Sequence, residues 1–257
     1  MIFMKHMTVF PFGRTQALPV AVRRLEICGA KIVGKPSMDV THLLLPVPSF
    51  DADGQVRGGG ELEEILKLLP HDVTILGGYL TSALLAGYDK VDLLWDEQYL
   101  AENAYLTAEC AMRLVRNLLP VQLRGVRILV IGWGRIGKCL GKLLQLAGAR
   151  VSVAARKQTD RAMLAALGYE ALSLEQMRAS LSDYRVIFNT VPAPVLSREQ
   201  MKSCREDCLK IDLASASGME GADVISARGL PGKDLPESSG VLIADTVMRL
   251  CTGEGTV

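Results

Sequence analysis

Val130-Ile131-Gly132-Trp133-Gly134-Arg135-Ile136-Gly137 is the stretch on which the fold turns. It leaves a buried-strand run, Arg127–Ile131, and enters an amphipathic segment over 136–147. There Ile136, Leu140, Leu143, Leu144 and Ala147 share one face, and Gly148 supplies the stop. G-x-G-x-x-G alone is a weak signal. Between a strand and a helix, with a second β-rich run at 151–155, it has the layout of a dinucleotide-binding turn. Gly132 permits the tight turn, Gly134 lets the backbone approach a pyrophosphate, and Gly137 lets helix and strand pack closely. The helix N-terminus then faces the phosphates, so Trp133, Arg135 and Ile136 join the three glycines as cofactor-binding candidates. A glycine turn without a nucleotide is the plain alternative, and the strand–turn–helix context disfavours it.

The end of the second strand separates NAD from NADP. An acid there accepts from the ribose 2′-hydroxyl. This chain reads Ala154-Ala155-Arg156-Lys157, with no acid before Asp160. A carboxylate would repel a 2′-phosphate, whereas Arg156 can grip it with two N–H groups, and Lys157 and Thr159 can add donors. NADP is therefore expected over NAD, against the plain alternative that Arg156 is a solvated loop residue. Further strands are expected at 186–191, 209–214 and 224–227. Asn189-Thr190-Val191-Pro192 and Asp212-Leu213-Ala214-Ser215 end the first two of these, at the edge where cofactors bind in such sheets. Asn189, Thr190, Val191, Pro192, Asp212 and Ser215 are thus cofactor candidates, with strand-end turn chemistry as the competing role for Thr190 and Ser215. Thr159 and Asp160 are expected to cap a helix ending at Gly168, and Ser173/Gln176 and Ser197/Gln200 each fit a capping box. A terminal helix is expected over 238–251.

Toward the N-terminus, β-rich runs at 8–12, 31–33, 42–47, 73–76 and 91–95 alternate with helical stretches such as 61–69. The run Gly58-Gly59-Gly60 reads as a mobile loop, with phosphate cradling as a weaker option. A long amphipathic segment over 103–119, with Leu106, Cys110, Leu114 and Leu118 at helical spacing, ends at Pro120. The expected fold is α/β with two domains. A C-terminal Rossmann doubly wound parallel sheet occupies 120–257, and a smaller, flavodoxin-like α/β domain for substrate or partner occupies 1–119. The long helix links them, and the terminal helix has the option of packing back on the first domain.

Composition excludes several classes. The chain has 257 residues, 49% hydrophobic and 22% charged, with a formal net charge of +1. That leaves no basic footprint for nucleic acid or an anionic membrane, and no apolar run reaches the ~20 residues of a membrane span. The start lacks a signal-peptide pattern, and Met1, Met4 and Met7 are competing start residues, so a cytoplasmic protein is expected. Six cysteines, at 28, 110, 139, 204, 208 and 251, form no C-x-x-C and no zinc pattern. Buried, reduced thiols and no metal site are expected. The histidines, His6, His42 and His71, sit near no recognisable partner, so the chemistry must rest on the cofactor.

The order of Gly132–Gly137, Ala155-Arg156, Asn189–Pro192, Asp212–Ser215 and Gly229-Leu230-Pro231-Gly232 resembles the A-type subunit of dipicolinate synthase. The segment 236–240 is similar to that family's helix start near the nicotinamide, Leu43-Leu44-Leu45-Pro46-Val47 to its "ILPV" strand, and Asn103, Thr107 and Glu109 to its N-x-x-x-T-x-E. The resemblance implies an NADP-dependent oxidoreductase that oxidises a dihydro- or tetrahydrodipicolinate-type dicarboxylate to dipicolinate in sporulating bacteria, with a flavoprotein-like B-type subunit as partner. It also implies kinship with two-domain D-2-hydroxyacid dehydrogenases. On this mapping the catalytic candidates are Arg14, Asn103, Thr107, Glu109 and Ser215, with Arg14 clamping a substrate carboxylate and Glu109 accepting a proton. The plain reading of Glu109 is an exposed helix residue.

Three departures bear on the pocket. Pro11-Phe12-Gly13-Arg14 replaces a Gly-Gly-Asp-x-Arg turn, the first half is short between Val33 and His42, and the stretch from Ser217 to Val224 leaves little room for a crossover helix. Two other readings stay open: a dehydrogenase of another small (hydroxy)acid on this scaffold, and a non-catalytic NADP-binding subunit. The bridging and terminal helices each offer a homodimer face, with interdomain packing as the alternative.

Overall fold

The computed structural model describes residues 6–252. Met1 and Met4, on which the choice of start residue depends, lie outside the described residues. The first sheet comprises β1 (Thr8–Pro11), β2 (Lys31–Ile32), β3 (His42–Leu44), β4 (Thr74–Gly77) and β5 (Lys90–Asp92), with α1 (Leu18–Ile27) and α2 (Leu62–Leu66) between strands. α3 (Glu97–Leu118) follows. The second sheet comprises β6 (Arg127–Ile131), β7 (Arg150–Ala154), β8 (Glu170–Leu172), β9 (Val186–Asn189), β10 (Leu209–Asp212) and β11 (Val224–Ser226). Its helices are α4 (Arg135–Leu146), α5 (Gln158–Ala166), α6 (Leu174–Ala179) and α7 (Arg198–Met201), before α8 (Leu230–Asp234) and α9 (Pro236–Thr252) close the chain.

Both sheets are wholly parallel. The first runs β2-β1-β3-β4-β5 and the second β11-β10-β9-β6-β7-β8. Read from β8, the second order is the 3-2-1-4-5-6 of a dinucleotide-binding sheet, and the first is the 2-1-3-4-5 of a flavodoxin-like one. The expected α/β architecture with two parallel-sheet domains is what the chain adopts. Contacts divide it into two compact units: Met1–Asn103 with Pro231–Val257, and Ala104–Leu230. These limits differ from a single boundary at 119/120, because α9 belongs with the first sheet and most of α3 with the second.

The first unit's core gathers Phe10, Leu43, Leu45, Ile75 and Leu85 around the sheet. Helix α9 packs on α1 so closely that a methyl added at Gly240 would lie 2.5 Å from Val20 Cβ and 2.6 Å from the Ala17 carbonyl oxygen. The same helix is anchored by Arg249, which donates to both carboxylate oxygens of Asp96 at 3.2 and 2.6 Å. In the second unit Leu129, Ile131, Tyr184 and Ile187 form a buried cluster. Each fully buried aliphatic side chain there contributes about 1.5–3 kcal/mol relative to exposure.

Local differences from the sequence expectations have identifiable causes. Helix α1 escapes a reading by pattern because Val20 and Val22 favour strands and Pro19 looks like a breaker. This proline falls in the helix's first turn, where no N–H is missed. The run 91–95 is a strand only to Asp92. The Asp92 carboxylate accepts from Leu94 N–H at 3.0 Å and turns Leu93–Trp95 into a 3-10 helix. The bridging helix starts at Glu97, because Asp96 accepts from Tyr99 N–H at 2.7 Å and so caps it earlier than the 103 expected. Thr159 and Asp160 do not cap α5. They lie inside its first turn, and Lys157 takes the cap position with no side-chain bond. The two capping boxes, Ser173/Gln176 and Ser197/Gln200, are both formed. No helix joins β10 to β11. A loop does so, tied by a parallel bridge between Leu196 and Met219. All six cysteines are free, but only Cys110 and Cys208 are buried.

Candidate functional site

The glycine turn sits between β6 and α4, where the sequence places it. Gly132 has φ of +104°, the left-handed region that L side chains avoid, and a methyl there would collide with the Thr190 hydroxyl. A methyl on Gly137 would collide with the Gly132 carbonyl oxygen. Gly134 differs: a methyl there meets nothing within 4 Å. Two glycines are therefore demanded by the protein's own packing, and the third borders open space at the N-terminus of a twelve-residue helix. Such a cradle fits a pyrophosphate received by backbone N–H groups. Trp133 packs edge-on against Tyr169, with ring centroids 5.4 Å apart, and burial pushes the Tyr169 hydroxyl above its ordinary pKa.

At the end of β7, Arg156, Lys157 and Thr159 are exposed, and among the described residues neither Arg156 nor Lys157 has an ion-pair partner. The turn that presents them is braced by Arg161, which donates to the carbonyl oxygens of Ala155 at 2.9 Å and Arg156 at 2.7 Å. Sequence reasoning missed Arg161. Its one signal was a cation in the first turn of α5, where cations are unfavourable without another task.

The ends of β9 and β10 form a closed polar knot. Asn189 Nδ2 donates to Asp212 Oδ1 at 2.9 Å and to the Val191 carbonyl oxygen at 3.0 Å, and Val191 N–H donates to Asn189 Oδ1 at 3.0 Å. Asp212 also accepts from Ala214 N–H at 3.1 Å and from Gly218 N–H at 2.9 Å. Both side chains are buried and fully committed inside the protein. What they do for a ligand is shape the loops 190–193 and 213–218. Thr190 donates its hydroxyl to the Ile131 carbonyl oxygen at 2.9 Å, beneath Gly132. Pro192 and Ser215 are exposed on those loops, and Val191 is half-buried.

Helix α3 separates the three residues assigned to it. Asn103 and Thr107 are four apart and share a strip. Glu109 lies about 200° around the helix from Thr107, on the strip of exposed Tyr105, Arg113 and Arg116. Thr107 is buried, Asn103 and Glu109 half-buried. Arg14 lies exposed in the loop after β1, in the first unit. Of the histidines, His42 is in β3, where burial lowers its pKa and its Nδ1 is 2.8 Å from the Thr41 hydroxyl, while His6 and His71 are exposed. Among the described residues no group of three His, Cys, Asp or Glu side chains is placed to hold a metal, and no helix is long and apolar enough to cross a membrane.

Likeness to known proteins follows the same features. Residues 113–220, which span the glycine turn and the polar knot, match the family described as shikimate / quinate 5-dehydrogenase. Over 234 residues the chain is 24% identical to the A-type subunit of dipicolinate synthase from Bacillus subtilis (strain 168), covering 84% of this chain and 79% of that protein. A crystal structure of the same dipicolinate synthase subunit from Bacillus halodurans superposes with a TM-score of 0.84 at 23% identity, covering 97% of this chain and 99% of that one. A transhydrogenase from Sinorhizobium meliloti superposes with a TM-score of 0.72 at 14% identity, covering 96% and 94%. The resemblance carried by the motifs is therefore borne out, and the likenesses support an NAD(P)-binding, oxidoreductase-like protein with a Rossmann domain.

Proposed function

We propose that the chain is an NADP-dependent oxidoreductase whose substrate is a small dicarboxylic acid of the dihydro- or tetrahydrodipicolinate type, oxidised to dipicolinate. The similarity to a subunit of dipicolinate synthase supports this substrate class and a partner subunit, and the motif resemblance adds the proposal that this partner is flavoprotein-like, that the chain is cytoplasmic and that it serves sporulation. The observation that carries the cofactor assignment is the end of β7: exposed Arg156 and Lys157, and no carboxylate to accept from a ribose 2′-hydroxyl.

The residues divide the work. Gly132 and Gly137 hold the turn, Gly134 leaves room for a pyrophosphate, and Arg156 with Lys157 takes a 2′-phosphate, held in place by Arg161. Asn189 and Asp212 fix the loops on which Pro192 and Ser215 stand. A bound nicotinamide supplies the hydride chemistry. Arg14, in the first unit, is the candidate for clamping a substrate carboxylate, and Asn103, Thr107 and Ser215 are kept, each by itself, as catalytic candidates.

Equilibrium titration with NADPH and NADH tests the cofactor reading. Tighter NADPH binding, reduced roughly 10- to 100-fold in Arg156→Ala while NADH binding stays put, is expected for loss of a charge-assisted bidentate contact. Equal binding of both cofactors by the wild type, with no effect of the substitution, would sink it. Turnover of a dihydrodipicolinate-type substrate, with and without the partner protein, tests the reaction.

A second reading, a non-catalytic NADP-binding subunit, is favoured by one observation. The proton acceptor expected at Glu109 lies on the strip of α3 opposite Thr107, and the histidines offer no replacement. Turnover by the purified chain alone decides against it.

A further inference from the structure

The first sheet has its own topological switch point. Its strand order reverses between β1 and β3, since β1 leads to β2 on one side and the chain then crosses to β3 on the other. In open parallel sheets ligands bind at such a switch point, outside the carboxyl ends of the strands. The loop after β1 carries Arg14. After β3 the chain makes a small hairpin, closed by an antiparallel bridge between Phe50 and Val56, and Arg57 is the residue that leaves it.

The two arginines are locked together by backbone. Arg14 N–H donates to the Arg57 carbonyl oxygen at 2.8 Å, and Arg57 N–H donates to the Ser49 carbonyl oxygen at 3.0 Å. Ser49 is buried; its hydroxyl donates to the Pro46 carbonyl oxygen at 2.8 Å and accepts from Gly78 N–H at 3.0 Å, which fixes the hairpin's base to the ends of β3 and β4. Glycine makes the approach possible. Gly58 has φ of +62°, and a methyl there would lie 2.7 Å from both Arg14 Cβ and the Arg14 carbonyl oxygen. The run at 58–60 is thus not simply a loose loop, because its first two residues pack against Arg14, Val56 and Phe12.

Neither guanidinium has an ion-pair partner among the described residues, and both are exposed. Arg57 Nε donates to the Phe50 carbonyl oxygen at 2.9 Å, which orients the group and leaves its terminal nitrogens free. Of the hairpin's two carboxylates, Asp51 accepts on Oδ1 from the N–H groups of Asp53 and Gln55, both at 3.0 Å, and among the described residues neither Asp51 nor Asp53 forms an ion pair with Arg14 or Arg57.

We propose that Arg14 and Arg57 form a two-arginine site at the β1/β3 switch point that binds a small dicarboxylate, with Arg57 taking the second carboxylate. This rests on the substrate class proposed above, and it adds a binding residue that no motif picked out. Two charge-assisted forks discriminate a diacid from the matching monoacid, because the monoacid leaves one fork without a partner.

The test is calorimetric titration of the full chain, with and without NADPH, using pyridine-2,6-dicarboxylate and pyridine-2-carboxylate as probes. The wild type is expected to prefer the diacid. Arg57→Gln is expected to lower diacid affinity roughly 10- to 100-fold and to abolish the preference, with Arg57→Lys intermediate, as the loss of a charged hydrogen bond implies. Thermal melting and NADPH affinity of the variants should match the wild type, since Arg57 is exposed and lies outside the glycine-turn unit. A wild type without diacid preference, or an Arg57→Gln protein that keeps it, overturns the site. Failure of the wild type to bind NADPH instead overturns the cofactor reading and leaves the diacid comparison to judge the arginines.

Discussion

Asn189 and Asp212, at the ends of neighbouring strands β9 and β10, share a buried hydrogen bond of 2.9 Å that ties together both loops at the edge of the glycine-turn sheet. Removing the carboxylate strands the Asn189 amide and the N–H groups of Ala214 and Gly218. Asp212→Ala is expected to destabilise the protein by about 3 kcal/mol, with Asp212→Asn costing less. Urea unfolding measures this. An unchanged midpoint would show that the knot is dispensable.

The glycines of the turn are expected to separate by role. Gly134→Val adds a side chain into open space, so its melting temperature should stay near wild type while NADPH affinity falls by about tenfold or more, as the pyrophosphate loses its backbone approach. Gly137→Val drives a side chain into the Gly132 carbonyl oxygen, and overpacking of this kind costs about 3 kcal/mol. Melting curves paired with NADPH titration distinguish the two. A Gly134→Val protein that binds NADPH normally would mean that the cradle is not used.

Glu109 is expected to be a bystander. From its half-buried position on the outer strip of α3, Glu109→Gln should leave NADPH binding and turnover within about twofold of wild type, the range of ordinary surface changes. A loss of turnover of several orders of magnitude, with folding intact, would restore it as the proton acceptor.

The Asp96–Arg249 pair gives a pH signature. Burial works to raise the Asp96 pKa, but the bonds from Arg249 and from Tyr99 N–H outweigh it and hold the carboxyl below its ordinary value. The folded state therefore keeps this proton off more readily than the unfolded chain does. The stabilisation is present above about pH 4 and is lost as pH falls through the lowered pKa. Asp96→Asn should cost about 2 kcal/mol at pH 7, and the gap to wild type should narrow below about pH 4. Urea midpoints measured from neutral to acid pH give both numbers; a gap independent of pH would assign the loss to packing.

Legibility followed the range of the interaction. The glycine spacing, the strand–helix alternation, the two capping boxes and the missing acid after β7 are local patterns, and each can be read within a few residues. The knot of Asn189 with Asp212 depends on strands that pair only when folded, so sequence marked both residues for the right edge and assigned their side chains to a ligand. Arg57 was invisible because the hairpin places it beside Arg14 through one backbone bond between distant segments. Glu109 illustrates the reverse problem. Its motif spacing was plain, but helical geometry puts the i+2 position on the other side.

The return of α9 to α1 also has a consequence for synthesis. As the polypeptide emerges from the ribosome, the first five strands appear before the glycine-turn sheet, yet the surface at Ala17 and Val20 stays uncovered until Gly240 has been made. The intervening segment, 104–230, is complete before that point. The nascent chain thus finishes its second unit first, and holds a partly formed first unit with exposed apolar surface in the meantime.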